Sequence, residues 1–420
     1  MDTIISIDDP KLKRQLSDDT VIQRLNRHFI TLQSDEVKKN NYHLQEAMNN
    51  IIENMKKVNS LFEKTYQRMF FGGSFYKKTK ISNPREFDLN IIIKLPFQET
   101  TVSLIKSSPG FIKLYLRTGF ELSNYTPGEQ KILNDLLIDG VFLSQERFRA
   151  WIEGTITKAL RLLPEENGEY SIINDSSCKI YKVTKSGPAF TFALNVDDNV
   201  TISVDLVPVL EFSVDLPYDI QRKRIPKCAC EVEKWLAVPK PLMDNNLETD
   251  RLWRVSFYDQ ERRILSNYGR IKLIIRLIKK LRDAQGWHGL KSYYIETLFF
   301  HEIETMKDEI DRRPLTLLFF MMLHKLRIAF LKREICFYWN PECNLLDKRN
   351  AAEVEQMKNR LSRILKDIEN KIEFDKYIIA RYILNTDEYC SLMLQAQENL
   401  NPSVESKESK YLTNSLLPVF

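Results

Sequence analysis

Apolar positions recur at helical spacing over a long stretch near the start of the chain, from about residue 35 to 70. They return every three or four residues with lysines between them, which is typical of an amphipathic helix that buries one face. These positions are Val37, Leu44, Met48, Ile51, Ile52, Met55, Val58 and Phe62. The pattern predicts one long helix that ends at Phe71-Gly72-Gly73-Ser74, where two glycines permit a tight turn.

After this turn the pattern changes to the period of two that is typical of β-strands. The run EFDLNIII (residues 86–93) alternates in this way, and so do the segments 111–117, 189–196 and 201–212. Helical spacing dominates again beyond about residue 246. The sequence therefore predicts an α+β protein with a sheet lobe followed by a helical lobe.

We expect these lobes to correspond to two domains that share a cleft. Residues 1–230 would form a catalytic lobe in which a mixed sheet packs with the long spine helix, and residues 231–400 a helical lobe that completes the cleft. Residues 401–420 contain the polar stretch typical of a flexible tail.

Composition narrows the possible functions without naming one. The 62 basic and 57 acidic residues give a formal net charge of +5, so any nucleic-acid surface must come from local clusters. Six cysteines without a CxxC pair and a start unlike a signal peptide predict a cytoplasmic location. The apolar runs are broken by charge well short of the roughly 20 residues of a membrane span, so no membrane partner is expected.

Three acidic residues interrupt the predicted strands. Glu86 and Asp88 are two residues apart and therefore share one face of their strand, and Asp205 interrupts the apolar run TISVDLV. Acids on adjacent strands repel each other unless cations neutralise them, and Mg²⁺ prefers oxygen ligands. Two such ions stabilise displacement at phosphorus, and amides of a Gly-Gly-Ser turn can bind a triphosphate. The set predicts nucleotidyl transfer, although each acid alone is equally typical of a strand edge or turn.

The turn and the acids also resemble a known family. Gly73-Ser74-Phe75-Tyr76, Lys80-Ile81-Ser82, Pro84 and Glu86-Phe87-Asp88 are similar to the G-S turn and E-x-D motif of cyclic GMP-AMP synthase and its animal relatives. Further similar blocks follow in family order between residues 55 and 350. They are Ser186-Gly187-Pro188-Ala189 with Ile202-Ser203-Val204-Asp205, Trp235-Leu236 with Val238-Pro239-Lys240, Trp253-Arg254 with Ser256-Phe257, Glu261, Ile264-Leu265, Asn267 and Gly269, Ser292-Tyr293, and Pro341 with Asn344-Leu345-Leu346.

The resemblance implies a bilobal nucleotidyltransferase fold of the cyclic GMP-AMP synthase-like receptors. It implies that Glu86, Asp88 and Asp205 are catalytic and hold two Mg²⁺ or Mn²⁺ ions, and that ATP and GTP are joined into cyclic GMP-AMP, of undetermined linkage, by an innate immune sensor. The implied nucleotide-binding residues are Gly73, Ser74, Asp205, Arg254, Ser256, Glu261, Lys272, Ser292 and Tyr293. Tyr293 would stack on a base, although Tyr294 competes for this role and ordinary packing also explains an aromatic ring there.

The expected trigger follows from a departure from the family pattern. In the vertebrate DNA sensor a zinc-binding insert begins at the His that corresponds to Tyr268, whereas this chain continues from Gly269 directly into IKLIIRLIKKL. Cys228 and Cys230 are too close together and lack His partners, so no zinc is expected. Because relatives without the insert generally sense double-stranded RNA, the resemblance implies double-stranded RNA as activator, with double-stranded DNA kept as an alternative.

Basic residues cluster where such a duplex could bind, and an oligomer could form on it. The clusters are Lys38, Lys39, Lys56 and Lys57 on the long helix, Arg222, Lys223, Arg224 and Lys227 between the lobes, and eight basic residues from Arg262 to Arg282. We hypothesise that a duplex, which is read by shape, reshapes the Gly-Gly-Ser turn. Solvated helix faces also explain such charge runs. Two further alternatives are a catalytically silent binding protein and an enzyme with a linear product, such as an oligoadenylate synthase.

Overall fold

A large mixed sheet and the helices packed beside it make up the described part of the chain. The computed structural model describes residues 9–31, 34–81, 85–196, 200–213, 234–241, 247–306, 309–347 and 349–398. The strands of the large sheet are β1 (Tyr66–Phe71), β2 (Glu86–Ile93), β3 (Val102–Lys106), β4 (Phe111–Leu116), β5 (Leu137–Ile138), β6 (Phe142–Leu143), β7 (Glu165–Glu166), β8 (Glu169–Ile172), β9 (Asp175–Ser186), β10 (Ala189–Val196), β11 (Val200–Phe212), β12 (Trp235–Val238) and β13 (Leu252–Ser256). The predictions of strands at 86–93, 111–117, 189–196 and 201–212 are confirmed.

The strands are joined in the order β5-β6-β4-β13-β12-β11-β10-β9-β8-β7, with β2 and β1 branching from β11 and β3 paired to β4. Pairing is antiparallel except between β2 and β11, which run parallel. A separate hairpin contains β14 (Cys336–Phe337) and β15 (Asn340–Asn344). The fold class predicted from the sequence, a mixed sheet with helices, is confirmed.

Helices precede, interrupt and follow the sheet strands. They are α1 (Pro10–Gln15), α2 (Thr20–Leu25) with a π-helical turn (Asn26–Ile30), α3 (Ser34–Val58), α4 (Ser60–Thr65), α5 (Gly73–Tyr76), a 3₁₀ turn (Glu99–Thr101), α6 (Pro127–Asp135), α7 (Gln145–Leu160), α8 (Leu247–Asp250), α9 (Tyr258–Ser266), α10 (Gly269–Ala284), α11 (Ser292–Met306), α12 (Leu315–Lys332), α13 (Ala351–Lys371), α14 (Ile378–Ile383) and α15 (Thr386–Glu398). No helix among these described residues is long and apolar enough to cross a membrane.

The spine helix α3 ends earlier than its apolar pattern predicts. We expected one helix from about 35 to 70, but α3 stops at Val58 because Asn59 takes an extended backbone conformation. The Asn59 side chain accepts a hydrogen bond from the amide of Phe62 at 2.9 Å and so caps α4. Tyr66 is extended again and begins β1. The prediction of a single helix is therefore wrong in its C-terminal third, where Asn59 starts a new element.

Segments of each predicted lobe pack with elements of the other lobe. β12 and β13 follow residue 231, yet β12 pairs with β11 and β13 pairs with β4. In the opposite direction, Asp19 accepts hydrogen bonds from the first amides of α12, those of Leu315 at 3.0 Å and Thr316 at 2.9 Å. The boundary predicted at 230/231 lies outside the described residues and stays a prediction.

Candidate active site

The parallel pairing of β2 and β11 sets the three predicted acids side by side. Asp205 is in register with Asp88, and Ser203 is in register with Glu86. Phe87 and Leu89 are buried on the opposite face of β2, as are Val204 and Leu206 on β11. The three carboxylates therefore share one face of two adjacent strands, because side chains alternate along a strand.

Like charge makes this arrangement unfavourable by itself. The pKa of Asp88 is raised, first because the surrounding protein desolvates its carboxylate and then because Asp205 lies beside it. Thr191 on β10 donates its hydroxyl to Oδ1 of Asp205 at 2.5 Å. The Nζ of Lys80 lies 3.2 Å from Oε2 of Glu86 and 3.1 Å from the Glu86 carbonyl oxygen. Lys80 thus pairs with Glu86 and Thr191 satisfies one oxygen of Asp205, while Asp88 faces its acidic neighbour.

The Gly-Gly-Ser turn lies against Asp88 at contact distance. The Gly72 amide donates to the Asp88 carbonyl oxygen at 2.7 Å, which fixes the turn to β2. Gly73 has φ of +70°, a backbone region that favours glycine. A Cβ at Gly73 would stand 1.7 Å from Oδ2 of Asp88, so any larger residue would displace the carboxylate. The sequence signal GGS therefore corresponds to a close approach between turn and acid.

The acids have the chemistry of a site for hard divalent cations. Carboxylate oxygens are the ligands that Mg²⁺ and Mn²⁺ prefer, and a cation there would relieve the repulsion that raises the pKa of Asp88. In the described residues no three acidic, Cys or His side chains converge closely enough to hold an ion as they stand. Glu86 points to Lys80, so completing a three-carboxylate site requires the side chain of Glu86 to leave that ion pair.

A cleft of about 510 Å³ opens next to Asp88. Eight of the residues predicted from the sequence line it, namely Gly73, Ser74, Asp88, Arg254, Ser256, Glu261, Ser292 and Tyr293. Other residues that line it, and that the sequence did not indicate, include Lys77, Asn90, Tyr258 and Glu296. The cleft therefore collects predicted residues from β2, the turn, β13, α9 and α11.

Packing of Trp253 explains how Arg254 and Ser256 come to this cleft. The Trp253 ring is fully buried against Phe148 at a centroid distance of 5.4 Å, and its Nε1 donates to the Leu143 carbonyl oxygen at 2.9 Å. Because alternate residues of β13 face opposite sides, Arg254 and Ser256 are turned away from that core. The spacing of Trp253, Arg254 and Ser256 thus follows from alternation along β13, in which Trp253 faces the core and the other two face the cleft.

Both oxygens of the Glu261 carboxylate already have partners. Oε1 accepts from the Tyr293 hydroxyl at 2.7 Å and from Nε1 of Trp339 at 3.2 Å, and Oε2 lies 2.8 Å from Nζ of Lys77. Burial and the Glu261 carboxylate raise the pKa of Tyr293 well above its usual range. The structure thus gives Glu261 and Tyr293 protein partners at the cleft wall, while a direct nucleotide contact by either stays a prediction.

Lys272 is not brought to this cleft. Its Nζ contacts the Ser266 carbonyl oxygen at 3.4 Å. The pKa of Lys272 is lowered by burial and by the neighbouring charges of Lys78 and Arg276, so these three cations form a cluster of their own. The nucleotide contact implied for Lys272 stays a prediction.

Some of the basic residues predicted to bind a duplex already form ion pairs within the protein, and others lie outside the described residues. Lys38 to Lys57 span about 28 Å along α3, because each helical residue rises about 1.5 Å. Lys56 lies 2.7 Å from Glu53, and Arg262 lies 3.0 Å from Asp259 with its guanidinium over the Phe70 ring. Lys38 is 3.8 Å from Asp35, Lys57 is 3.4 Å from the Asn54 side chain, and Lys39 is also on α3. Arg222, Lys223, Arg224, Lys227, Cys228 and Cys230 lie outside the described residues.

A group of buried charges next to the cleft was missed by sequence reasoning. Lys77, Glu261, Lys279 and Glu296 have side chains that are at most 5% exposed, and we call them the buried quartet. Lys279 could have been found, because it lies on the buried face of α10 with Ile275 and Ile278. Lys77 could not, because it lies in a basic segment that looks like a solvated loop.

Comparison with known proteins finds two family models and several relatives that match most of the chain. Residues 75–267 match the family model described as Mab-21 protein nucleotidyltransferase domain, and residues 270–363 match the Mab-21 protein HhH/H2TH-like domain. A cyclic GMP-AMP synthase-like receptor of Trichogramma pretiosum is 33% identical over 96% of this chain and 85% of its own length. One of Microplitis demolitor is 35% identical over 98% and 76%, and receptor 2 of Drosophila melanogaster is 26% identical over 81% and 75%.

Proposed function

This chain belongs to the Mab-21 nucleotidyltransferase family, among its cyclic GMP-AMP synthase-like receptors, and we propose that it joins ATP and GTP into a cyclic dinucleotide when double-stranded RNA binds. The family makes it a nucleotidyltransferase of innate immune sensing. The substrates, the cyclic GMP-AMP product, the trigger, the metal ions and a cytoplasmic location are the parts that we propose.

One observation supports the reaction above all others. Asp88, which lines the cleft, lies in register with Asp205 on the neighbouring strand, and the glycine turn leaves no room for a Cβ between itself and Asp88. Two acids held together in this way destabilise the fold unless they serve a charged ligand. A divalent cation with a nucleoside triphosphate supplies that charge.

Each element of the site has a role in this reaction. Glu86, Asp88 and Asp205 would hold two Mg²⁺ or Mn²⁺ ions, which when bound stabilise the attacking and leaving oxygens at phosphorus. Gly73 and Ser74 would contact the triphosphate through the turn, and Arg254 and Ser256 would orient the nucleotide from β13. A ribose hydroxyl of one nucleotide attacks the α-phosphorus of the other and pyrophosphate leaves. A second attack, again with loss of pyrophosphate, closes the ring.

Double-stranded RNA is proposed as the activator because the chain lacks the zinc-binding insert of the DNA sensor. The lysines at the two ends of α3 lie about 28 Å apart on one helix, which suits contact with a phosphate backbone. Ion pairs already made by Lys56 and Arg262 reduce their share of that attraction. Binding should therefore be salt-dependent. We also propose the duplex as the place where an oligomer forms.

Incubation of the purified protein with labelled ATP and GTP, Mg²⁺ or Mn²⁺, and either duplex RNA or duplex DNA tests the proposal. We expect a cyclic dinucleotide that depends on duplex RNA, identified by chromatography after phosphatase treatment. A linear ladder would instead identify an oligonucleotide synthase, and the absence of any product under all conditions would indicate a silent binding protein. Equal output with and without duplex RNA would refute RNA activation.

A further inference from the structure

The buried quartet connects the segment after the glycine turn to helices α9, α10 and α11. Nζ of Lys77 lies 2.8 Å from Oε2 of Glu261 on α9 and 3.1 Å from Oε2 of Glu296 on α11. Oε1 of Glu296 lies 2.7 Å from Nζ of Lys279 on α10. Helices α9 and α11 therefore contact the Lys77 ammonium directly, and α10 joins them through Glu296; Lys77 follows Ser74 of the turn by three residues.

The quartet contains two lysines and two glutamates, whose formal charges cancel. Burial lowers the pKa of Lys279, and the neighbouring Glu296 carboxylate opposes that shift. Burial alone would lower the pKa of Lys77, but Glu261 and Glu296 outweigh it and raise that pKa, so Lys77 is charged. Lys279 and Lys77 likewise hold the pKa of Glu296 below its usual range. Removing one member would leave an uncompensated buried charge, which is strongly destabilising.

Such a group is a poor way to gain stability, because desolvation of the ions offsets most of their attraction. What the quartet supplies is fixed geometry, since each charge restricts the direction of its partners. The Lys77 ammonium also lies 4.7 Å from the centroid of the Tyr258 ring. The Tyr258 hydroxyl in turn donates to the Gly73 carbonyl oxygen at 2.7 Å, so the same contacts reach the turn directly.

The far end of the turn is held by the same residues. Nζ of Lys279 donates to the carbonyl oxygen and to Oγ1 of Thr79, both at 3.2 Å, and Thr79 Oγ1 donates to Glu296 Oε1 at 2.9 Å. The Thr79 amide donates to the Ser74 carbonyl oxygen at 2.8 Å. Both ends of the segment Gly73–Thr79 are therefore tied to helices α9, α10 and α11.

We propose that Lys77 and Glu296 are positioning residues that fix the Gly73–Ser74 turn in the shape that receives the triphosphate. The identity of the ligand in this proposal rests on the proposed function, whereas the contacts that fix the turn are independent of it. It gives α10, which also bears Lys272 and Arg276, a direct mechanical connection to the turn through Lys279 and Thr79. A ligand that shifts α10 would thereby shift the turn.

The first test needs no nucleotide. The double variant Lys77→Met with Glu296→Gln removes one charge of each sign, so the net charge of the quartet stays at zero, unlike in either single substitution. Lys78→Met is the control, because Lys78 is the neighbouring lysine on the same segment and is exposed. In hydrogen exchange we expect amides of residues 73–79 to exchange at least tenfold faster in the double variant only, with β10 and β11 unchanged. Exchange at the wild-type rate would overturn the proposal.

The second test measures affinity for a fluorescent ATP analogue with Mg²⁺. We expect at least tenfold weaker binding in the double variant and wild-type binding in Lys78→Met. Faster exchange with unchanged affinity would overturn the positioning role. If the wild-type protein binds no triphosphate, the proposed function fails, and the exchange experiment still decides whether the quartet holds the turn.

Discussion

Replacing Gly73 with alanine would separate the geometry of the turn from its chemistry. The new Cβ would lie 1.7 Å from Oδ2 of Asp88, and real Cβ contacts are essentially never under 3.0 Å, so the carboxylate must move by roughly 1.3 Å. Displacements of about 1 Å in a catalytic group reduce rates about 100-fold. The positive φ of +70° adds a destabilisation of about 1–2 kcal/mol. We therefore expect at least a 100-fold loss of dinucleotide synthesis with a modest loss of stability.

Gly119→Ala provides the matched control for this prediction. Gly119 has φ of +67°, nearly that of Gly73, but a Cβ there would meet nothing within 4 Å. Both variants should lose similar stability by thermal unfolding, while only Gly73→Ala loses activity, measured as the initial rate of product formation from labelled ATP and GTP. If Gly73→Ala retained a rate within threefold of Gly119→Ala, Asp88 would not need its present position and the site assignment would be refuted.

Three further substitutions test the charges of the molecule. Asp205→Asn should abolish synthesis yet raise the Tm of the metal-free protein, since it removes a negative charge beside the desolvated Asp88 carboxylate; an unchanged or lower Tm would contradict this. Lys80→Met should tighten Mn²⁺ binding two- to fivefold in paramagnetic resonance titrations, because the ammonium no longer competes for the exposed Glu86; unchanged affinity would contradict it. Hydrogen bonds from Lys64, the larger cause, and from the Thr126 amide lower the pKa of Glu129 from 4.5 to about 2. The ionised Glu129 carboxylate therefore stabilises the fold above pH 4.5, and this stabilisation is lost as the pH falls toward 2. Glu129→Gln should therefore destabilise by about 1–2 kcal/mol at pH 7 but not at pH 2 in thermal unfolding; an equal loss at both would oppose this.

Several features of the site followed from local pattern. The EFD spacing was enough to put Glu86 and Asp88 on one face, because side chains alternate along any strand. The Gly72-Gly73 pair indicated a turn that needs unusual backbone freedom, and φ of +70° at Gly73 agrees. These are short-range properties, so a single stretch of sequence contains them.

Other features depended on contacts between distant segments. The end of α3 at Val58 was mispredicted because the apolar spacing continues through Phe62. Asn59 caps a new helix there, and its Nδ2 donates to the distant Thr155 hydroxyl at 3.0 Å. Lys272 lies among basic residues in the sequence, yet its neighbours Lys78 and Arg276 make it part of a separate cluster rather than of the cleft. Neither outcome can be read from spacing alone.

Alternation, glycine content and motif order are properties of the linear chain, so the sequence was enough to predict four strands, the turn, the three acids and the family to which the chain belongs. Only the tertiary structure decided that Asp205 stands in register with Asp88, that Glu86 pairs with Lys80, and that Lys77 is buried among carboxylates. The physical reason is that register, desolvation and ion pairing depend on which distant segments meet, and these meetings are set by packing of the whole chain.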